Sequence, residues 1–295
     1  MAREKETAAH LKEISLPPQC DIFNETVPED LWALREFSQF YQLYQQTHTS
    51  YRFVYYHRIN STNDNAKAGD YPQGTVIIAG AQDKGRGRGL RHWYSPPGVN
   101  ISMSIILKPD DEIPATAISL MNTAASLAVS RALRTVTALD VWPKWPNDIY
   151  IGAKKAGGIL SESLISGGMV RRLIIGIGIN VNTAEFPAEL KDKATSLFIE
   201  SGMMYGRGQL ISLILREFEQ CRAYSSTHLI SEWTALSKTI NSYVYVATPD
   251  AQDGQERQLG GTARALNEDG SLAVELEAGE TIVVTSGEVT NAPCH

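Results

Sequence analysis

Four strand-like runs follow one another between residues 141 and 181, and this cluster constrains the fold more than any other feature of the sequence. The runs are 141–142, 148–151, 158–164 and 170–181, and most are joined by short glycine or lysine turns. Helical patterns lie before and after the cluster rather than between its strands. This grouping predicts an α+β fold with a mixed or largely antiparallel sheet and flanking helices on one side of it.

The flanking segments add further elements. Residues 51–59, 74–80 and 99–107 are apolar or rich in aromatic and β-branched side chains, and each is predicted to be a strand. The run Ser61-Thr62-Asn63-Asp64 offers N-caps to a short helix that ends at Ala68. Apolar side chains recur at helical spacing in 114–136, 209–224 and 229–237, and Pro114 suits the first turn of the longest helix.

The pattern becomes all-β near residue 239. Predicted strands cover 243–246, 259–266, 271–276 and 281–285, with turns at Asp269-Gly270 and Ala278-Gly279. Short strands of this kind predict a small β-barrel. We therefore expect three parts: an N-terminal extension (1–48), a main domain (49–238) and the barrel (239–295). One short helix is predicted in the extension, from the spacing of Leu31, Trp32, Leu34, Phe37 and Tyr41.

Composition argues against several classes of protein. The chain has 27 basic and 33 acidic side chains, a formal charge of −6, whereas a dedicated nucleic-acid binder normally has a basic excess. Cys20, Cys221 and Cys294 are sparse and far apart, which suits a reducing compartment. We find no apolar run of about 18 residues and no secretory signal. The expectation is a cytoplasmic protein that binds neither nucleic acid nor membrane, with an organelle as the open alternative.

The segment Gly85-Arg86-Gly87-Arg88-Gly89 places two guanidinium groups on a backbone that can approach a ligand closely. Alternate glycines leave N–H groups free to face an anion, and arginines bind carboxylate or phosphate oxygens with two hydrogen bonds. The stretch has no periodicity, so it is predicted to be a loop. A disordered basic loop or an RNA-binding patch is the alternative interpretation.

Three other short motifs could carry chemistry. A base, an amide and a carboxylate lie close together at the end of a predicted strand, in the run Lys144-Trp145-Pro146-Asn147-Asp148. A kink in an edge strand would produce the same sequence pattern without any functional role. Lys155 lies on a predicted turn, where most lysines are only solvated. Gly176 and Gly178 leave one face of a predicted strand without side chains at two positions. A flat ligand could lie against this face, or the glycines could simply mark a bulge in a core strand.

These motifs occur in an order that is similar to the biotin protein ligase family, over roughly residues 52–290. The resemblance implies a fold related to class II aminoacyl-tRNA synthetases and lipoate ligases. It also implies an enzyme that converts biotin and ATP, with Mg²⁺, into biotinyl-5'-AMP and pyrophosphate. Biotin then passes to a lysine of a biotin carboxyl carrier domain, the partner in biotin-dependent carboxylases.

The resemblance also implies roles for individual residues. Catalysis is assigned to Arg86, Arg88, Lys155 and Asp148. Biotin is expected to contact Ser61, Thr62, Asn63, Gln82, Gly85, Arg86, Gly87, Arg88, Lys155 and Gly158. The nucleotide is expected to contact Arg88, Arg91, Trp93, Lys144, Asn147, Gly178 and Asn180. No protein ligand of Mg²⁺ is named.

Some features depart from the family pattern or leave it incomplete. Leu90 stands where many relatives have glycine, so the loop is expected to close differently there. Residues 183–194 are predicted to form a second mobile element, and the arginine loop itself is expected to be ordered by ligand. The oligomeric state is expected to be a monomer or a weak homodimer. A lipoate ligase of the same superfamily is the nearest alternative, and an RNA-binding module is a more distant one.

Overall fold

A computed structural model describes residues 20–23, 51–89, 91–108, 113–114, 117–167, 169–249, 256–285 and 287–291. The helix predicted between Leu31 and Tyr41 and the role assigned to Leu90 lie outside these residues. Within them, no helix is long and apolar enough to cross a membrane.

A nine-stranded mixed sheet forms the centre of the molecule. Its strands are β1 (Cys20–Phe23), β2 (Arg52–Ile59), β3 (Thr75–Gln82), β4 (Ile101–Leu107), β5 (Ile113–Pro114), β6 (Val141–Lys144), β7 (Asp148–Ile151), β8 (Lys154–Ser166) and β9 (Met169–Ile179). Eight of them follow the order β1-β2-β3-β4-β9-β8-β7-β6, and β5 pairs with β9.

The predicted antiparallel pairing holds for most of this sheet but not for its first three strands. β1 pairs with β2, and β2 with β3, in parallel, whereas β3, β4, β9, β8, β7 and β6 pair in antiparallel fashion. A short helix connects β2 to β3, and such a crossover brings the chain back in the same direction. The strand β1 also brings part of the 1–48 segment, expected to be mostly a loose extension, into the sheet.

Helices cover both faces of the sheet, so the expectation of helices on one side is wrong. They are α1 (Thr62–Ala68), α2 (Ala117–Thr137), α3 (Leu197–Ser201), α4 (Arg207–Arg222) and α5 (Ser226–Leu236). The main core joins α2, α4 and α5 to one face. On the opposite face, Ala66 of α1 packs in a smaller cluster with Val54, Ile77, Ile106 and Ile174.

Both ends of α1 are capped by side chains. At its start, the Ser61 hydroxyl accepts a hydrogen bond from the backbone N–H of Asp64, as the sequence predicts. At its end, Nη1 of Arg172 donates to the carbonyls of Ala66 (3.0 Å), Lys67 (3.4 Å) and Gly69 (2.6 Å). The helix is short and owes its position largely to these caps and to Ala66.

We expect the Arg172→Ala substitution to lower the free energy of unfolding by about 2–3 kcal/mol, because it leaves carbonyls of α1 without a charged donor. Chemical denaturation measures the change. The neighbouring Arg171, which is exposed, provides the matched control: Arg171→Ala should be within about 0.5 kcal/mol of the parent. Equal stability of both variants would contradict the role given to Arg172.

A second sheet contains five antiparallel strands in the order β13-β12-β11-β10-β14. They are β10 (Tyr243–Pro249), β11 (Glu256–Leu266), β12 (Leu272–Leu276), β13 (Thr281–Val284) and β14 (Glu288–Asn291). Pairings among the described strands leave β13 and β14 at the two ends, without closing a barrel. The sheet lies against the main domain, where Nε1 of Trp145 donates to the carbonyl of Gly270 (3.0 Å).

The element boundaries differ from the predicted ones at several points. Pro114 lies in β5 instead of the first turn of a helix, and α2 begins at Ala117. β8 begins at Lys154, four residues before the predicted strand. Three elements, β1, α3 and β14, were not predicted from the sequence. These three are short, and local patterns are weakest in elements of that length.

Candidate active site

One cavity of about 1340 Å³ gathers the predicted site residues from both sheets. Its walls come from the start of α1, the 85–93 segment, the β6–β7 hairpin, β8 and β9, and from Ala247, Gly287 and Val289 of the small sheet. The predicted residues in its lining are Ser61, Thr62, Asn63, Gln82, Arg86, Gly87, Arg88, Arg91, Trp93, Lys144, Asn147, Asp148, Lys155, Gly158, Gly178 and Asn180. Gly85 is the one predicted residue that lies behind this lining.

Uncharged polar groups form one end of the cavity. The carboxamide oxygen of Gln82 accepts hydrogen bonds from the backbone N–H (2.8 Å) and the hydroxyl (3.2 Å) of Thr62. The Ser104 hydroxyl donates to Oδ1 of Asn63 (2.6 Å), and its Oγ lies 2.8 Å from Oγ1 of Thr62. Ser61, Thr62 and Asn63 are all buried. Hydroxyl and amide groups fixed in this way suit a neutral ligand with its own donors and acceptors.

The glycine-arginine segment forms a small hairpin instead of the irregular loop expected. Arg86 and His92 form an antiparallel bridge, and the Gly87 N–H donates to the Arg91 carbonyl (2.8 Å). The Trp93 N–H donates to the Gly85 carbonyl (2.8 Å). A Cβ at Gly85 would lie 2.7 Å from the Trp93 carbonyl oxygen, so glycine is required for this close backbone contact.

Arg88 extends from the hairpin to the small sheet. Its Nη1 donates to the carbonyl of Gly287 (2.8 Å) and lies 3.5 Å from Oδ1 of Asn147. Asn147 is fixed in turn, since its Nδ2 donates to the carbonyl of Ile159 (2.5 Å). Both Arg88 and Asn147 therefore present polar groups to the middle of the cavity with defined orientations.

Lys155 and Asp148 form an ion pair in the cavity wall, with 2.6 Å between Nζ and Oδ1. Lys155 lies within β8 and not on the turn predicted for it. Its backbone accepts from the Thr195 N–H and donates to the Lys193 carbonyl, both at 2.9 Å. Its Nζ also lies 5.9 Å from the centre of the Trp93 ring, a cation–π distance.

The Asn63 amide and the Trp93 ring lie against the bare strand face at Gly176 and Gly178, and both glycines also line the cavity. A Cβ at Gly176 would lie 2.3 Å from Oδ1 of Asn63, and one at Gly178 would lie 2.6 Å from Cε2 of Trp93. Glycine at these positions is needed because the Asn63 amide and the Trp93 ring lie directly against β9.

Two further polar groups lie in the lining. Lys144 is buried and its Nζ is 4.6 Å from the centre of the Tyr150 ring. Asn180 is buried as well, and its Nδ2 donates to the Thr195 carbonyl (3.0 Å). Its Oδ1 and the Nε1 of Trp93 are buried without a hydrogen-bond partner among the described residues. Unpartnered buried polar atoms beside a cavity are candidates for ligand contacts.

Sequence reasoning missed a carboxylate at the edge of this site. Glu162 of β8 forms an ion pair with Arg86 (2.8 Å from Oε2 to Nη2), and Asp64 forms another (2.6 Å). Residues 158, 160 and 162 share one strand face, because side chains alternate along a strand. Because Gly158 was predicted to contact biotin, its spacing of four residues from Glu162 could have placed Glu162 near the site. Gly287 carried no comparable signal, because a backbone carbonyl does not depend on the side chain.

Comparisons with known proteins agree with this arrangement. Residues 55–180 match the sequence model of the biotin/lipoate A/B protein ligase family. The chain is 37% identical over 235 residues to a bifunctional ligase/repressor from Bacillus spizizenii, covering 77% of this chain and 70% of that protein. It is also 31% identical over 233 residues to a biotin–[acetyl-CoA-carboxylase] ligase from Mycobacterium tuberculosis, covering 77% of this chain and 82% of the relative. The chain belongs to the biotin protein ligase family.

Solved structures of biotin protein ligases share the fold. The biotin protein ligase from Aquifex aeolicus in complex with biotin and ATP superposes with a TM-score of 0.68 at 27% identity, covering 81% of this chain and 98% of that one. The expectation of an α+β protein with a mixed sheet is confirmed for this member of the biotin protein ligase family. The segment expected to form a small β-barrel contains a five-stranded antiparallel sheet. The predicted mobility of residues 183–194 stays a prediction; in this segment Phe186 is buried.

Proposed function

We propose that this protein activates biotin with ATP, forming biotinyl-5'-AMP and pyrophosphate, and then transfers biotin to a lysine of a biotin carboxyl carrier domain. The observation that supports this most directly is the shared cavity, in which Arg86, Arg88 and Lys155 lie beside the uncharged cluster at Thr62 and Gln82. Cationic and neutral subsites side by side fit a substrate with a polar uncharged head and a carboxylate tail.

The positively charged side chains reduce the charge repulsion that opposes the first half-reaction. The biotin carboxylate must attack the α-phosphate of ATP, and both groups are anionic. Fixed guanidinium and ammonium groups offset this repulsion and stabilise the charge that develops on the phosphate. Arg88 and Lys155 hold defined positions through Gly287 and Asp148, so little reorganisation is required when the substrates arrive.

The neutral end favours biotin over lipoate. A cyclic urea has two N–H donors and one carbonyl acceptor, and the groups on Ser61, Thr62, Asn63 and Gln82 complement both kinds. The dithiolane ring of lipoate is apolar, so it could not use the hydrogen-bonding capacity that these groups retain beyond their contacts with one another. The matching sequence model covers both ligase types, so this pocket chemistry and the names of the relatives carry the distinction.

The opposite end is assigned to the nucleotide. Trp93 offers a ring for stacking and an unpartnered Nε1, and Asn180 offers an unpartnered Oδ1 that can accept from the adenine amino group. Lys144 supplies a buried positive charge nearby. Among the described residues no three His, Cys, Asp or Glu side chains converge as metal ligands. We propose that Mg²⁺ enters with ATP, held mainly by phosphate oxygens and water.

The second half-reaction requires an uncharged carrier lysine, because an ammonium group has no lone pair for attack on the mixed anhydride. We assign to Asp148 the role of accepting the proton or orienting the amine. Its ion pair with Lys155 places the carboxylate next to the cation that is assigned to the first half-reaction.

Several finer features belong to the same proposal. For the fold, they are a relationship to class II aminoacyl-tRNA synthetases, closure of the small sheet as a barrel, and domain boundaries after residues 48 and 238. For the protein in the cell, they are a monomeric or weakly dimeric state and a cytoplasmic location. Each follows from the family resemblance or from composition.

Exchange of labelled pyrophosphate into ATP tests the function directly. We expect exchange that depends on biotin, followed by a mass increase of one biotin on the target lysine when an apo carrier domain is added. Lipoate in place of biotin serves as the matched substrate control. Exchange with lipoate alone would identify a lipoate ligase, and exchange with neither acid would refute the ligase proposal and favour RNA binding by the arginine hairpin.

A further inference from the structure

Glu162 is the centre of a polar network that ties three elements together at the edge of the cavity. Its carboxylate contacts Lys67 of α1 and accepts from Nδ2 of Asn63 at 2.9 Å. It also accepts from Nη2 of Arg86 through both oxygens, at 2.8 and 3.1 Å. The Glu162 side chain is only 18% exposed, so these contacts are made largely away from bulk water.

The charge of Glu162 is maintained by its neighbours. Burial alone would raise the pKa of this carboxyl, but the hydrogen bonds from Lys67 and Asn63 and the charge of Arg86 hold the pKa below its ordinary value. The side chain is therefore ionised at neutral pH. An ionised acceptor forms stronger hydrogen bonds than a neutral one and needs its partners in place.

Arg86 is bound by carboxylates on two sides. Asp64, at the start of α1, lies 2.6 Å from the same Nη2 that contacts Glu162. Two carboxylates beside one guanidinium cancel much of its positive charge. Arg86 is accordingly suited to anchor the hairpin to α1 and β8.

We propose that Glu162 is a positioning residue that holds the base of the arginine hairpin against α1 and β8 by gripping Arg86 and Asn63. It acts on the biotin end of the site without lining the cavity, because Asn63 and the Gly87 backbone are the groups it places there. This inference rests on the proposed function. Its content is a division of roles: Arg86 anchors the hairpin, and Glu162 fixes the placement of Arg86 and Asn63.

The alternative is an ordinary ion pair with no effect on the site, since partly exposed pairs often contribute little. The two interpretations differ in what changes when the charge is removed. An inert pair would alter melting temperature at most. A positioning residue would weaken biotin binding and the retention of the adenylate, with a smaller effect on the affinity for ATP.

Steady-state pyrophosphate exchange on Glu162→Gln tests the proposal. We expect the KM for biotin to rise about ten- to a hundredfold, the loss of one charge-assisted contact, while kcat and the KM for ATP change by less than about threefold. Biotinyl-adenylate should also dissociate faster from the variant. Glu162→Asp, which retains the charge, should recover part of the loss.

Glu275→Gln is the matched control, because Glu275 is ion-paired with Arg264 on the small sheet and lies outside the cavity lining. It should behave as the parent does. Glu162→Ala is then measured with and without Arg86→Ala. If Glu162 acts through Arg86, its removal should cost much less in the Arg86→Ala background.

The outcomes separate this inference from the proposed function. If the parent shows no biotin-dependent exchange, the function itself fails. If the parent is active and Glu162→Gln keeps the parent KM and adenylate retention, the positioning role is refuted. It is also refuted if Glu162→Ala costs as much without Arg86 as with it. Should Glu162→Gln not fold, hydrogen exchange at Gly87 and Trp93 in Arg86→Ala decides, because this variant lacks the contact between Glu162 and the hairpin, and parent-like protection there counts against the proposal.

Discussion

Replacing Lys155 with Met is expected to reduce biotin-dependent pyrophosphate exchange by about a hundred- to a thousandfold, the usual cost of removing one fixed electrostatic contact to a transition state. The substitution keeps most of the side-chain volume but removes the ammonium group. It also leaves the Asp148 carboxylate, 2.6 Å away in the parent, without this countercharge. A negative charge would then remain where the carboxylate and the phosphate must approach each other. Pre-steady-state formation of biotinyl-adenylate is the measurement.

Lys154 provides the control for this experiment. It is the preceding residue of β8, so its side chain lies on the other face of the strand, where its Nζ donates to the Lys191 carbonyl (3.2 Å). Lys154→Met should retain exchange within about twofold of the parent. If the two variants are equally active, Lys155 has no role in adenylate formation and the electrostatic argument fails.

The Asp148→Asn substitution is expected to impair the second half-reaction most. Transfer of biotin from preformed biotinyl-adenylate to an apo carrier domain should fall by about a hundred- to ten-thousandfold, the range typical for loss of a general base. Adenylate formation should fall less, because asparagine still offers an oxygen to Lys155. Single-turnover transfer measured by mass spectrometry separates the two steps.

Asp140→Asn is the corresponding control, since Asp140 is ion-paired with Lys238 and lies outside the cavity lining. Its transfer rate should equal that of the parent. An unimpaired transfer step in Asp148→Asn would remove Asp148 from the mechanism. A loss confined to adenylate formation would indicate that the carboxylate serves only to position Lys155.

The sequence was most informative where residue type decides structure locally. The cap at Ser61 follows from the hydroxyl itself, and the strands at 148–151 and 101–107 follow from apolar runs. These features could be predicted because each depends on a few neighbouring residues. The set of side chains expected at the site was instead implied by the resemblance of the ordered polar motifs to a known family.

The predictions failed where distant parts of the chain decide. The run from Lys154 to Gly157 has weak strand character, but it is extended because its backbone pairs with β7 and with the segment at 193–195. Arg86 looked like a free cation in the sequence, yet Asp64 and Glu162 arrive from two other elements to neutralise it. The parallel pairing of β1 with β2 also depends on a strand more than 25 residues away in the chain.

The carbonyl of Gly287 connects the arginine hairpin to the small sheet through Arg88. The distance between the two sheets therefore determines where the Arg88 guanidinium group lies in the cavity. Removal of the small sheet would therefore take away one partner of Arg88 together with part of the cavity wall at Ala247, Gly287 and Val289.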